Sequence, residues 1–240
     1  MPTPPPLNPL RLKTSLKMSL SKLKFLQEKK TALCKQQRRQ LADLLRQGKE
    51  SSATIRVENI IRDDIYIELL EYLELYCELL LARINLITDP AKHECDKSLL
   101  EAVSSVIYAA NHTELKEVVS IKDWLIAKYG HEFGRNALEN KDEVVPEKIV
   151  SRCSVEPPQE TLVDLYLCEI ARTYSAPYSK LSEYSAQSSE GEDNDDDDDN
   201  DGEGGTKELE APLAADAKPK VKEQDEFDAL KARFAALRTG

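Results

Sequence analysis

The sequence contains few glycines and histidines, and it lacks the short motifs on which most nucleotide and catalytic sites are built. Eight of its 240 residues are glycine and three are histidine. It has no phosphate-binding P-loop, no dinucleotide-binding fingerprint and no nucleophile elbow. The histidines, His93, His112 and His131, are not joined by cysteine or carboxylate at the spacing of a zinc site. We therefore predict a protein that is not an enzyme and that needs neither a cofactor nor a metal.

Disulfide frameworks and membrane-spanning segments are also missing from the sequence. The five cysteines are odd in number, widely spaced and without a C-x-x-C pair, which is typical of a reducing cytosol. The N-terminal sequence MPTPPPLNPL has no apolar stretch of the signal-peptide type. Charged residues interrupt every long apolar stretch, which excludes a transmembrane helix. We expect a cytoplasmic protein whose membrane contacts, if any, are peripheral.

Residues 54–89 contain neither glycine nor proline, and the predicted fold is organised around them. Apolar residues recur at helical spacing throughout this stretch, which is much longer than an ordinary globular helix. Its second half, 69–87, is apolar over more than one stripe, so several partners must cover it. Its first part, up to Ile65, is more charged. We expect this end of the hairpin to remain uncovered by the short helices, as a free lever end that can contact a membrane or a neighbouring molecule.

A second long helical pattern precedes this one, over residues 10–46. Asn8 and Pro9 form a typical helix start, and Gly48 a typical stop. Two long helices joined by a short loop, predicted at 47–54, indicate an antiparallel hairpin.

Shorter helical patterns follow Pro90, and none of the sequence has the period of a strand. They cover 96–110, a stretch capped by Thr113 that runs as far as Gly130, 131–139, 147–153, and 158–176 with Pro158 at the first helical position. The predicted fold is all-α, with a long antiparallel helical hairpin and shorter helices packed on it. We divide the chain into a disordered N-terminus (1–9), a helical domain (10–178), a disordered acidic linker (179–224) and a short C-terminal helical motif (225–240).

Charge is distributed unevenly along the chain. Residues 1–49 carry a net charge of +10, residues 50–180 a net −10, and residues 181–240 a net −11. We assign an exposed basic face to the first helix, and expect it to bind an anionic membrane or polymer surface. Its residues are Arg11, Lys13, Lys17, Lys22, Lys24, Lys29, Lys30, Lys35, Arg38 and Arg39. The adjacent carboxylates Asp63 and Asp64 are predicted to be solvated.

The C-terminal segment 225–238, DEFDALKARFAALR, has a pattern typical of a helix that binds in a groove. Phe227, Leu230, Phe234 and Leu237 fall on one stripe, with Arg233 beside it. A helix docked on the protein's own core is the alternative. The acidic run 190–203 argues against that alternative. It lies in a long linker between the domain and the motif, whose root-mean-square reach is on the order of 40 Å.

Several blocks of the sequence, in this order, resemble the increased-sodium-tolerance family of ESCRT-III-like proteins, in a fungal-type member. They are LQEKKTAL, TIRVENIIRDD, ELLEYLELYCELLLARINLI, SLLEAVSSVIYAA, AKYGHEFG and SVEPPQETLVDLYLCEIARTY. The tail FDALKARFAALR resembles the MIT-interacting motif of these proteins. Phe227 stands where that motif usually has an acidic residue.

The resemblance implies an ESCRT-III core fold and a role in endosomal multivesicular-body sorting, peripheral on the endosomal membrane. It implies that the protein binds other ESCRT-III subunits, known as charged multivesicular body proteins, and the MIT domain of the vacuolar-protein-sorting AAA ATPase. The MIT-binding residues would be Phe227, Leu230, Arg233, Phe234, Leu237 and Arg238.

Two other functions remain open from the residues alone. One is a nucleic-acid-associated helical protein that uses the basic first helix, although that helix lacks interleaved aromatic residues. The other is a simple coiled-coil adaptor, against which the broad apolar coverage of 69–87 argues. A separate hypothesis is that the acidic run 190–203 covers the basic face of the first helix.

Overall fold

The computed structural model describes residues 7–154 and 156–182, and this part of the chain is helical without a strand. The all-α prediction is confirmed. The helices are α1 (Pro9–Arg46), α2 (Glu50–Ala82), α3 (Ile84–Thr88), α4 (Lys97–Ala109), α5 (Lys116–Tyr129), α6 (His131–Leu138), α7 (Glu147–Cys153) and α8 (Glu160–Thr173). Two 3₁₀ turns, Ala110–His112 and Lys141–Glu143, lie between them.

α1 and α2 form the predicted antiparallel hairpin. The side chain of Asn8 accepts hydrogen bonds from the backbone N–H of Leu10 (3.0 Å) and Arg11 (3.2 Å), and Pro9 occupies the first helical position. Gly48 has a φ of 71°, which lets the chain reverse immediately after α1. The predicted loop 47–54 is therefore too long. α2 already begins at Glu50, and Ala53 is buried within it.

The long pattern 54–89 does not form one helix, because it breaks at Arg83. There the backbone leaves the helical region (φ −108°, ψ 27°), and α3 begins at the next residue, Ile84. The break allows Ile87 to be fully buried in the main core. Periodicity alone does not show this break, since neither glycine nor proline marks it.

Two other predicted helix starts need correction. Thr113 does not cap α5; its hydroxyl donates to the carbonyl oxygen of Ala110 (3.1 Å), and the helix begins only at Lys116. Pro158 precedes α8, which begins at Glu160, rather than occupying its first position. In both cases the pattern locates the helix and misplaces its first turn, where tertiary contacts decide the boundary.

The hydrophobic interior consists of two separate clusters. The main core joins the first half of α1 and the second half of α2 to α4–α7, and includes Leu16, Leu73 and Val106. The predicted covering of 69–87 by short helices is confirmed. The second cluster lies at the closed end of the hairpin, where Val163, Leu167 and Ile170 of α8 are buried with residues of α1 and α2.

The second cluster contradicts the expected free lever end. The first part of α2 presents Val57, Ile60 and Ile61 to α8, and all three are at most 2% exposed. An apolar surface of this size would be costly to leave in water, so α8 folds back over it. The packed region also extends past the predicted domain boundary at 178, because Leu181 packs against this cluster.

Candidate functional site: the surface of the helical hairpin

The ten basic residues predicted on α1 do not share one exposed face. Some point toward acidic residues of α2 and α5. The pairs are Lys22–Glu117 (2.5 Å), Lys24–Glu74 (3.2 Å), Lys30–Asp63 (2.8 Å) and Arg38–Asp64. Four of the ten cations therefore form ion pairs within the domain, and these pairs join α1 to α2 and α5.

Arg38 and Asp64 form a buried ion pair between α1 and α2. Each residue is 4% exposed, and the guanidinium donates a hydrogen bond to the carboxylate. Two predictions are corrected here, since Arg38 is not on a surface and Asp64 is not solvated. A buried charge needs a partner of opposite sign, and the hairpin supplies it. Cys34 lies one turn before Arg38, and burial, followed by the charges of Asp64 and Asp63, raises its pKa to about 12.

Lys30 and Asp63 form a second pair, only partly exposed. The Lys30 ammonium donates to the carboxylate of Asp63 (2.8 Å) and lies 5.5 Å from the centre of the Tyr66 ring. The hydrogen bond to Asp63 is the main cause that raises the pKa of Lys30. Asp63 is thus not simply solvated, and both carboxylates of this dipeptide join α2 to α1.

Lys22 and Lys24 keep half or more of their side chains in solvent while they pair with acidic residues. The hydrogen bond from Lys22 lowers the pKa of Glu117 on α5. Exposed ion pairs of this kind contribute little to stability, about 0–1 kcal/mol each. Both lysines can therefore exchange these partners for an external anion.

The remaining positive charge of α1 faces solvent. Arg11, Lys13, Lys17, Lys29 and Arg39 are exposed and form no ion pair with any residue in 7–154 or 156–182. Lys35 is half-buried. The predicted basic face is thus reduced to these five exposed residues, with Lys22 and Lys24 beside them.

Apolar side chains are exposed among these cations, which the sequence reasoning missed. We define the outer stripe of α1 as Leu10, Met18, Phe25 and Leu33, whose exposures are 73%, 46%, 66% and 42%. The helical spacing of the apolar residues in α1 would place Leu33 on the buried face, but the structure leaves it exposed. Met18 also lines a shallow depression with the side chains of Thr14, Lys17, Ser21 and Lys22. The available signal was the seven-residue spacing of Met18 and Phe25.

The predicted MIT-binding residues lie outside the described residues. They are Phe227, Leu230, Arg233, Phe234, Leu237 and Arg238, and most of the predicted linker 179–224 lies outside as well. Within the described part, no group of three or more histidine, cysteine or acidic side chains is placed to hold a metal ion. None of the described helices is long and apolar enough to cross a membrane.

Comparison with known families identifies the fold. Residues 13–177 match the family described as "Ist1: Regulator of Vps4 activity in the MVB pathway". The chain belongs to the Ist1 family. The match covers α1 to α8 almost completely, so Ist1 membership and the resemblance seen in the sequence agree.

Relatives in other organisms support the same assignment. The chain is 48% identical over 187 residues to "Vacuolar protein sorting-associated protein IST1" of Saccharomyces cerevisiae, which covers 75% of this chain and 62% of the yeast protein. It is 36% identical over 168 residues to "IST1-like protein" of Dictyostelium discoideum, covering 70% of this chain and 45% of that protein. The chain therefore spans less than two thirds of the length of these Ist1 relatives.

A solved structure confirms the architecture. It is the S. cerevisiae Ist1 N-terminal domain in complex with a Did2 MIM motif, 47% identical to this chain with a TM-score of 0.65. The likeness covers 75% of this chain and 97% of the yeast domain. The hairpin with shorter helices packed on it is thus the Ist1 N-terminal fold, and that domain of the yeast protein binds a MIM motif.

Proposed function

We propose that this protein is a non-catalytic regulator and scaffold of endosomal multivesicular-body sorting, which binds the MIT domain of the Vps4 ATPase and subunits of ESCRT-III. The observation that carries the proposal is the family match over 13–177, since the family is described by its regulation of Vps4. The packing supports a non-catalytic role, because charged residues that are buried in the domain join helices to one another. Arg38 and Asp64 are such a pair.

The C-terminal segment is the proposed contact with the MIT domain. Leu230, Phe234 and Leu237 fill a groove between MIT helices, and Arg233 pairs with a carboxylate there. Phe227 and Arg238 complete the set. Losing a buried anchor typically costs about 2 kcal/mol or more. Leu237→Asp should therefore reduce the affinity of the full chain for the Vps4 MIT domain by more than tenfold, as measured by calorimetry.

The matched control for this substitution is Ala232→Asp. It introduces the same charge on the opposite side of the predicted helix, where no groove contact is expected. Equal affinity of the Leu237→Asp variant and the unmodified chain would disprove the C-terminal assignment. Equal loss in both variants would show that added negative charge, rather than a lost anchor, weakens binding.

The helical domain is the proposed contact with ESCRT-III subunits. The yeast Ist1 domain that this chain resembles at 47% identity was solved with a Did2 MIM motif. A peptide with an ESCRT-III MIM motif should therefore bind residues 1–182 of this chain when it is titrated against them. Binding only by the C-terminal segment would contradict this assignment.

The exposed cations and the outer stripe of α1 are the proposed contact with the endosomal membrane. Each Lys or Arg near an anionic surface contributes about 1 kcal/mol. The Lys13→Glu/Lys17→Glu variant should pellet less with phosphatidylserine vesicles than the unmodified chain. Lys97→Glu/Lys141→Glu is the control, because it makes the same change in charge at exposed sites on other elements. A gel shift with nucleic acid at the same salt, without vesicle binding, would favour the alternative function.

A further inference from the structure

The last described residues return to the turn of the hairpin and are held there by polar contacts. We call residues 174–181 the C-terminal clasp. The guanidinium of Arg46 donates to the carbonyl oxygen of Tyr174 (2.6 Å). The carboxylate of Glu50 accepts two hydrogen bonds from Ser179, one from its backbone N–H (3.0 Å) and one from its hydroxyl (2.7 Å). The clasp therefore joins the end of the domain to the start of α2.

The clasp is anchored to α8 as well. Asp164 accepts hydrogen bonds from the hydroxyl of Tyr178 (2.9 Å) and from the ammonium of Lys180 (2.7 Å). Ala176 is buried in the second cluster, and Tyr178 packs against it. Among the residues that the structure describes, the second cluster draws on α1, α2, α8 and the clasp only. Movement of the clasp would therefore affect the closed end of the hairpin before it affected the main core.

Ser179 is exposed although it takes part in these contacts. Its hydroxyl donates to a carboxylate that lies 129 residues away in the sequence. The hydroxyl of Ser98 also donates to a carboxylate, that of Asp96 (2.7 Å), but this contact is local, to the residue whose side chain caps α4. Ser179 thus combines an accessible hydroxyl with a long-range contact, and Ser98 supplies a matched comparison.

We propose that Ser179 is a phosphorylation site whose modification opens the C-terminal clasp. A protein serine/threonine kinase would supply the phosphoryl group from ATP. The Ser179 oxygen forms a bond to the γ-phosphorus, the bond from that phosphorus to the β–γ bridging oxygen breaks, and ADP leaves. The hydroxyl proton passes to the kinase's base. The product is a phosphoserine whose oxygens accept hydrogen bonds and carry close to two negative charges.

The modified side chain is incompatible with the present contact to Glu50. The ester oxygen has no hydrogen to donate, so the 2.7 Å bond to the carboxylate is lost. The phosphate would then lie beside a carboxylate of the same charge, which is repulsive. The neighbouring cations already have partners, because Lys180 pairs with Asp164 and Lys49 donates to Gln47 (3.0 Å). Among the described residues, either lysine could hold the phosphate only by leaving its present partner, whereas the repulsion from Glu50 acts within the contact as it stands.

The test compares hydrogen exchange in the full-length chain with and without phosphoserine installed at position 179 by suppressor tRNA. Backbone amides of 176–181 should exchange about tenfold faster in the modified protein, the size expected for losing a hydrogen bond to a charged group. Glu50→Gln in the phosphorylated chain should slow exchange again, because its amide carries no charge and can donate to the phosphate. Phosphoserine at position 98, the matched control, should leave exchange in 176–181 unchanged.

Other outcomes would overturn the proposal. If hydrogen exchange in 176–181 does not respond to phosphoserine at 179, or if Glu50→Gln does not slow it, repulsion by Glu50 is not the mechanism. Equally faster exchange in α4, which belongs to the main core, would indicate general unfolding rather than opening of the clasp. Phosphopeptide mapping of the protein from its own cells should find phosphate on Ser179, and its absence there would exclude the modification.

Discussion

Arg38 of α1 and Asp64 of α2 face each other inside the helical hairpin, each 4% exposed, with the guanidinium hydrogen-bonded to the carboxylate. Leu41, three residues after Arg38, and Ile61, three residues before Asp64, are at most 1% exposed. A charge in such a place is tolerated only opposite its partner, so the pair fits one alignment of α1 against α2.

Removing one member of this pair should destabilise the domain strongly. Asp64→Ala deprives a buried guanidinium of its carboxylate and should lower the free energy of unfolding by about 3–5 kcal/mol. Arg38→Met/Asp64→Leu removes both charges and should cost far less. Urea denaturation measures both. Asp43→Ala, which breaks an exposed pair with Arg46, is the control and should cost about 0–1 kcal/mol. Similar losses in all three variants would contradict the assigned role.

Phe25 and Leu23 should respond in opposite ways to substitution, although they are neighbours in α1. Leu23 is fully buried, so Leu23→Ala should lower the free energy of unfolding by about 2–5 kcal/mol. Phe25 is 66% exposed, so Phe25→Ser should change stability little while it weakens binding to anionic vesicles. Chemical denaturation and vesicle pelleting separate the two effects. A large stability loss in Phe25→Ser would show that the outer stripe is covered in solution.

Gly134 allows α6 to approach α5 closely. A Cβ built at this position would lie 2.7 Å from Cγ1 of Ile126, closer than packed atoms tolerate. Gly134→Ala should therefore cost about 1–3 kcal/mol of stability through overpacking. Adding Ile126→Ala should recover part of that loss, and the double-mutant cycle measures the coupling. Independent, additive effects would show that the helices separate freely.

The buried thiol of Cys34 should couple stability to alkaline pH. Burial raises its pKa from an ordinary 9.0 to about 12 in the folded protein. The thiol of the unfolded chain therefore loses its proton at a lower pH than the thiol of the folded protein. The stability that the buried thiol contributes is complete below about pH 9 and is lost as the pH rises toward 12. Cys34→Ala should flatten the alkaline part of the stability profile in urea titrations. An unchanged slope between pH 9 and 11 would disprove the coupling.

Local signals located the helices well. Asn8 and Pro9 predict the start of α1, Asp96 the start of α4, and Gly130 the end of α5, and each is found there. These features depend on a few adjacent residues and their backbone hydrogen bonds. The break at Arg83 could not be predicted in the same way. It follows from the burial of Ile87 by helices that are distant in the sequence.

The candidate site was predicted less completely. A helical period shows which residues share one face of a helix. Which face is buried depends on where the neighbouring helices lie. Phe25 and Leu33 could therefore be placed on either side of α1 until α2 and α5 were in position. In the sequence, nothing distinguishes Arg38 from Arg39, although Arg38 is buried and Arg39 is exposed.

By itself, the sequence determined the all-α class, the long hairpin and the segregation of charge, because periodicity, helix caps and composition are local properties of the chain. Tertiary structure alone decided which charges α1 keeps for an external partner. Asp63, Asp64, Glu74 and Glu117 come close to α1 only when the chain folds, and they pair with four of its cations. The same packing places α8 over the closed end of the hairpin, since the apolar surface there must be removed from water.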